Sequence, residues 1–174
     1  MANEWKIRVH GVEKLTVDME AAARAGMRNG LEKIGLRGQA MVQHNIASPF
    51  GAKPPAVAFG VLAGGIFSEL SPEELRLVIG VSPPADVYGL PVETGTRPHL
   101  PPPSALVPWV KQKGLASDEK KALSIAFAIS KTIAKRGTRG HLMFERAFEN
   151  LEGEVNPIME RELAVALQQA GFEG

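Results

Sequence analysis

The alternation of apolar and polar residues predicts three β-strands in the first half of the chain. From Glu4 to His10, apolar residues alternate with charged residues or histidine, which is typical of a half-buried strand. Residues 65–70 and 75–81 are predicted to form a hairpin, because they flank a Ser-Pro-Glu-Glu sequence with proline in the second position, as a type I turn prefers. Residues 75–81 have apolar side chains on one face and Val78 on the other, which favours the centre of a sheet.

Apolar residues at helical spacing predict one long helix and four shorter ones. The long helix is capped by Asp18 and ends near Ala47. The shorter helices are predicted at residues 104–114, 117–136, 142–151 and 156–170, the last beginning with an Asn-Pro pair. We therefore expect an α+β fold, with a small, mainly antiparallel sheet packed against a long N-terminal helix and several C-terminal helices. Residues 1–174 are expected to form a single domain.

Two patterns within these helices indicate how they pack. In the long helix, Ala22, Gly26 and Gly30 recur at four-residue steps. Each glycine costs about 1 kcal/mol relative to alanine in a helix interior, and very close packing of another backbone would offset this cost. In the helix at residues 117–136, Leu123 and Phe127 are expected to widen the apolar stripe that faces the core.

Residues 48–60 interrupt the helical pattern. Their sequence, SPFGAKPPAVAFG, has three prolines and two glycines and cannot continue a helix. Two interpretations are open for a segment of this length. It is either a surface loop held by Phe50 and Phe59 or an extended arm that becomes ordered against a neighbouring subunit.

A second proline-rich stretch, residues 86–109, contains six of the thirteen prolines in the chain. Within it, Glu93 precedes a Thr-Gly-Thr sequence, where its carboxylate could accept backbone N–H bonds or a contact from Arg97. Gly95 is expected to have a positive φ. We expect this stiff corner to meet another protein. The residues assigned to this surface and to the arm are Phe50, Phe59, Tyr88, Glu93, Thr96, Arg97 and His99.

The charges are balanced overall but unevenly distributed. Twenty basic and nineteen acidic residues give a net charge of +1. Residues 111–144 hold eight basic and two acidic residues, whereas residues 145–174 hold two basic and seven acidic ones. We expect these blocks to pair within the chain or between neighbouring copies. The sequence has no cysteine and no apolar run long enough for a membrane span, so we expect a soluble protein of a reducing compartment.

Residues that could carry catalysis or bind a metal are sparse. The four histidines show no helical i, i+4 pair and no His-Glu-x-x-His sequence, so no metal or cofactor is predicted. His99 lies six residues after Glu93, and a small hydrolase built on this pair is one hypothesis. Because no nucleophile or second carboxylate stands near His99, we predict that the protein is not an enzyme.

A further hypothesis is a nucleic-acid-binding module without sequence preference. It would contact a phosphate backbone through the basic residues around residues 131–141. The candidate DNA-facing residues are Lys131, Lys135, Arg136 and Arg139. The balanced net charge and the scarcity of aromatic residues among them disfavour nucleic acid as the main ligand.

Two short motifs add to this picture. Gly60, Leu62 and Ile66 fit the pattern Gly-x-Leu-x-x-Ser-Ile, with glycine in place of the serine. Residues 88–96 fit the pattern Tyr-Ala-x-x-Val-Glu-x-Gly-Thr, with glycine in place of the alanine. With the long N-terminal helix and the proline-rich patch, residues 18–150 resemble the neck and tail-completion proteins of long-tailed bacteriophages.

The resemblance implies a virion structural protein without a catalytic centre or cofactor. Proteins of that family form a ring, often sixfold, between the head connector and the tail tube. The implied partners are further copies of the chain and the connector, tail-terminator or tail-tube proteins, with transient non-specific DNA contact in the lumen and no membrane. The implied location is the virion, with the host cytoplasm as the place of assembly.

Overall fold

The structure, a computed structural model, describes residues 5–8, 17–48 and 60–172. It has the predicted fold class, a small antiparallel sheet packed against a long N-terminal helix and C-terminal helices. In chain order the elements are β1 (Trp5–Arg8), α1 (Val17–Ala47), α2 (Val61–Gly64), β2 (Ile66–Ser71), β3 (Arg76–Val81), α3 (Asp86–Thr94), β4 (Gly95–Thr96), α4 (Pro103–Gln112), α5 (Glu119–Arg136), β5 (Thr138–Arg139) and α6 (Met143–Gln169). Most of the predicted arm, including Phe50 and Phe59, lies outside the described residues.

The main sheet has the strand order β1-β3-β2, and both strand pairs are antiparallel. The predicted hairpin is confirmed, since β2 and β3 pair along their full lengths from Ile66 opposite Val81. The prediction that residues 75–81 form a central strand is also confirmed. Leu77 and Ile79 of β3 are buried and point towards glycines of α1, so the sheet packs closely on that helix.

α1 and α6 pack against each other in antiparallel directions. Gly26 lies against Leu163 near one end, and the Asn45 side chain donates to the carbonyl of Met143 at 3.0 Å near the other. A Cβ at Gly26 would lie 2.8 Å from both the carbonyl oxygen of Glu162 and the Cα of Leu163. The predicted close approach of another backbone is therefore confirmed, and it offsets the low helix propensity of glycine.

The main hydrophobic core lies between the sheet, α1 and the first half of α6. Its buried members are Leu31, Ile34, Val42, Ile46, Leu62, Ile66, Leu75, Leu77, Ile79, Val81, Ala85, Met143, Phe144, Ala147 and Leu151. Burying one large aliphatic or aromatic side chain contributes about 1.5–3 kcal/mol, so this set provides most of the hydrophobic stabilisation. Residues from both ends of the described chain meet in this core.

α4 and α5 form a helical hairpin with a small apolar cluster of its own. The N-cap of α5 is Asp118, whose carboxylate accepts the backbone N–H of Lys121 at 3.0 Å, one residue after the predicted start at Ser117. Leu123 and Phe127, which were expected to be buried, are 47% and 52% exposed. That prediction was wrong because, in the described part of the chain, α5 packs mainly against the short helix α4, which covers only a narrow stripe of its surface.

Two predictions about helix boundaries were also wrong. Residues 86–94, part of the stiff proline-rich corner to which no helix was assigned, form α3 with Pro91 inside it. Residues 142–151 and 156–170, predicted as two helices, form the continuous α6 with Pro157 inside it. Contacts between α6 and α1 continue on both sides of Pro157, so packing outweighs the backbone hydrogen bond that the proline removes.

Ion pairs reinforce the contact between α1 and α6. Arg37 donates to both carboxylate oxygens of Glu154, at 2.9 and 3.1 Å, and this lowers the pKa of Glu154 and raises that of Arg37. Lys33 Nζ lies 2.7 Å from Glu162 Oε2. The hydrogen bond from Lys33 lowers the pKa of Glu162, with a smaller contribution from Arg161 and some opposition from burial. These glutamates of the acidic block thus pair with α1 and with a neighbour on α6, and not with the basic block.

Gly26→Ala should destabilise the protein, although alanine is the better helix former. The new Cβ would overlap backbone atoms of α6, at a cost of about 1–3 kcal/mol, against a propensity gain of about 1 kcal/mol. Thermal unfolding followed by circular dichroism should show a lower Tm. The matched control is Gly153→Ala, because a Cβ there meets nothing within 4 Å and the Tm should rise. An unchanged or higher Tm for Gly26→Ala would contradict the close approach.

Stability should fall in acid partly through Glu162. Its pKa is lowered in the folded state, so around the ordinary and the lowered pKa the folded protein binds fewer protons than the unfolded chain. The stabilisation is therefore complete above the ordinary pKa of 4.5 and is lost as the pH falls through the lowered value. Denaturant unfolding at a series of pH values should show a smaller acid dependence for Glu162→Gln. Glu160→Gln, an exposed neighbour on the same helix, should keep the wild-type dependence.

Candidate partner-binding surface

The Glu93 carboxylate caps the N-terminus of α6. Glu93 lies near the end of α3 and is only 5% exposed. Its Oε2 accepts the backbone N–H of Phe144 at 2.9 Å, and its Oε1 accepts that of Glu145 at 3.1 Å. Leu142, which precedes α6, makes no side-chain cap, so a residue 51 positions before Phe144 supplies the missing acceptor. The negative charge also interacts favourably with the helix dipole.

The predictions made for Glu93 have different outcomes in the structure. The expectation that it accepts backbone N–H bonds is confirmed. The suggested contact with Arg97 is not formed, because both carboxylate oxygens are bonded to α6 and Arg97 is exposed. The assignment of Glu93 itself to the partner-binding surface is corrected, because its side chain is buried beneath that surface and supports it from inside.

Backbone contacts join β4 to β5 beside this cap. Gly95 of β4 pairs with Arg139 of β5. The N–H of His141 donates to the carbonyl of Val92 at 2.7 Å, and the N–H of Leu142 donates to the carbonyl of Glu93 at 3.1 Å. The end of α3 is therefore fixed to the segment that leads into α6 by main-chain bonds as well as by the carboxylate.

Glycine is required where these two segments cross. Gly95 and Gly137 have φ values of 83° and 67°, so the predicted positive φ of Gly95 is confirmed. A Cβ at Gly95 would overlap the carbonyl oxygen of Thr138, and one at Gly137 would overlap that of Thr96. The hydroxyl oxygens of Thr96 and Thr138 lie 3.0 Å apart, which adds a side-chain hydrogen bond to the crossing.

The outward face of α3 is apolar and exposed. Val87, Tyr88 and Leu90 are 64%, 56% and 41% exposed, and we call these three residues the α3 patch. Gly89 lies on the opposite side of the helix, where a Cβ would come within 3.1 Å of Val81. Grouped apolar side chains at the surface mark interaction sites more often than scattered ones do. Tyr88 was predicted, whereas Val87 and Leu90 were missed because an irregular stretch has no defined faces.

The chain that follows β4 continues this exposed surface. Arg97 and His99 are both exposed, and His99 Nδ1 lies 2.9 Å from the carbonyl oxygen of Arg97. Leu100 is 69% exposed, and Thr96 is half-buried in the β4–β5 contact. The hydrolase hypothesis needs Glu93 and His99 to act together. In the structure the two oxygens of Glu93 bind α6, so the pair does not form a proton relay.

The four candidate DNA-facing residues lie at the C-terminal end of α5 and in β5. Lys131, Lys135, Arg136 and Arg139 are all exposed. Lys131 Nζ lies 4.9 Å from the centre of the Phe127 ring, a cation–π contact. Lys135 and Arg136 occupy the last turn of α5, where the helix dipole favours positive charge. Part of this basic cluster therefore has a structural role in ending the helix.

The described residues hold no group of three or more histidine and acidic side chains that could coordinate a metal ion. Among these residues there is also no helix with the length and apolarity needed to cross a membrane.

Glu93→Gln should destabilise the protein by about 2 kcal/mol, because a neutral amide replaces a charged acceptor and its NH₂ group would face a backbone donor. Chemical denaturation would measure the loss. The matched control is Glu145→Gln, which removes an exposed carboxylate from the first turn of the same helix and should cost at most about 1 kcal/mol. If the two substitutions lowered stability equally, the interaction with the helix dipole would explain both effects, and the specific cap by Glu93 would be contradicted.

No protein-family model, curated protein or solved structure matches the chain. The role of the α3 patch is therefore inferred from its exposure and from the contacts that fix it.

Proposed function

We propose that this protein is a structural component of a tailed-bacteriophage virion and forms part of a ring at the head–tail junction. It assembles with copies of itself, in a sixfold ring, and with connector, tail-terminator or tail-tube proteins. Its role is to join the head to the tail or to complete the tail, and it has no catalytic centre. The observation that most supports this proposal is the exposed α3 patch on a corner fixed by Glu93.

The rigidity of the corner favours a role in binding a protein. Val87, Tyr88 and Leu90 are large apolar side chains, and covering them with a partner stabilises the complex. α3 is already fixed by the Glu93 cap and the β4–β5 contact, so binding does not have to order this segment. Preorganisation of this kind increases affinity without enlarging the contact.

The Tyr-x-x-x-Val-Glu-x-Gly-Thr motif gains a physical explanation from this geometry. Glu93 caps α6, Gly95 allows the two backbones to cross, and Thr96 bonds to Thr138. Tyr88 begins the motif and belongs to the α3 patch. The motif therefore combines a binding surface with the contacts that hold that surface in position, which is the combination that a ring subunit requires.

A nucleic-acid-binding role is less well supported by the same observations. The net charge is only +1, and of the four basic candidates Lys131 already contacts an aromatic ring of its own chain. A ring through which DNA passes needs a few basic groups towards its lumen, not a strongly basic groove. We therefore assign Lys131, Lys135, Arg136 and Arg139 at most a transient contact with DNA in the assembled ring.

Tyr88→Asp combined with Val87→Asp should prevent assembly and leave the fold intact. Both side chains are more than half exposed, so the monomer should keep its Tm, while a charge in a covered apolar contact opposes binding. The readout is electron microscopy of particles from a phage carrying the variant, which should show filled heads and free tails. The control is Leu36→Asp, a 67% exposed apolar residue of α1. Normal tailed particles with the α3 variant would contradict the proposal.

A further inference from the structure

The outer face of α5 carries two large apolar side chains flanked by lysines. Leu123 and Phe127 are 47% and 52% exposed, and Lys131 extends over the Phe127 ring. Lys120, Leu123, Phe127 and Lys131 follow one another at steps of three or four residues, so they lie along one side of the helix. The opposite side buries Ala122 and Ala126 in the α4–α5 cluster. We call the outer side the α5 face.

One side of α6 carries a complementary stripe. Glu145, Glu149, Glu152 and Glu160 are exposed and, with Asn156 between them, follow the same steps of three or four residues. At its C-terminal end the stripe continues into two half-buried leucines, Leu163 and Leu167. We call this set the α6 stripe.

The acidic residues of the α6 stripe differ from the other glutamates of the helix. Glu154 and Glu162 are engaged with Arg37 and Lys33 of α1. Within residues 5–8, 17–48 and 60–172, no ion pair joins the four glutamates of the stripe to a basic side chain, and none joins α5 to α6. The basic and acidic blocks of the sequence therefore present opposite charges at separate surfaces of one molecule.

We propose that the α5 face of one molecule docks on the α6 stripe of a second copy of this chain. The lysines meet the glutamates, and Leu123 and Phe127 are covered by the glutamate methylene groups and by the leucines at the end of the stripe. Two different surfaces meet in such a contact, so each molecule keeps one free surface for the next neighbour, which is the heterologous geometry that closes into rings. The proposal rests on the self-assembly in the proposed function and identifies its contact.

A second copy explains the α5 face better than a polyanion does. A phosphate backbone would neutralise Lys120 and Lys131 but leave Leu123 uncovered by apolar atoms. The same chain also provides an acidic surface along one side of α6, which a polyanion site does not require. Binding of the α5 face to DNA is therefore the competing outcome of the charge-reversal experiment.

The experiment uses charge reversal on each surface. One variant carries Lys120→Glu and Lys131→Glu on the α5 face, and the other carries Glu149→Lys and Glu152→Lys on the α6 stripe. All four positions are exposed, and glutamate and lysine have similar helix propensities, so both variants should fold, as circular dichroism can verify. Sedimentation velocity at low ionic strength measures self-association of the full chain.

Each variant alone should associate about tenfold or more weakly than the wild-type protein, because attraction is replaced by repulsion. An equimolar mixture of the two variants should associate again, since each then offers the surface that the other lacks. The single chain carrying all four substitutions should also recover association. Higher salt should weaken the association of the wild-type protein.

Three results would overturn this contact. The first is equal behaviour of the wild-type protein and all variants, whether all associate or all stay monomeric. The second is a failure of the mixture to restore association. The third is binding of a DNA oligonucleotide that only the α5 variant loses, without any change in association, which would indicate a polyanion site. The proposed function has a separate test, the joining of heads to tails in a phage that carries the α3 variant, so a failure of this contact can be told apart from a failure of that function.

Discussion

The bond between the Glu93 carboxylate and the N-terminus of α6 holds α3 and α6 in one arrangement. α6 begins in the main core, α3 carries the exposed apolar patch, and the segment between α5 and α6 passes through the same point. A buried carboxylate that lost these N–H partners would be strongly unfavourable, so the geometry has little freedom. Together with the main-chain bonds around β4 and β5, this contact sets the position of the α3 patch relative to α6.

The packing of α1 against α6 fixes the position of the helix that Glu93 caps. Glycines of α1 let α6 approach on one side and the side chains of β3 approach on the other. Arg37 and Lys33 then pair with glutamates at the rim of the helix contact. These two ion pairs therefore lie where the two helices already touch.

The sequence predicts local structure well where one physical preference acts alone. The hairpin around Pro72 and the close approach at Gly26 follow from turn geometry and from the absence of a side chain. Pro91 and Pro157 misled the prediction because proline usually ends a helix, whereas both lie inside helices here, and α6 packs on α1 on both sides of Pro157. The carboxylate of Glu93 could be expected to accept N–H bonds, but no sequence pattern indicates that the donors lie on α6. Leu123 and Phe127 were misplaced because periodicity cannot tell how wide a covering neighbour is.

The separate apolar cluster of α4 and α5 has a consequence for motion. Its buried members are not shared with the main core, and the β4–β5 bridge is short. A unit of this kind opens at a lower free energy than the whole molecule, so its amide hydrogens exchange with solvent sooner than those of α1. We therefore expect the α4–α5 hairpin to loosen while the rest of the molecule stays folded.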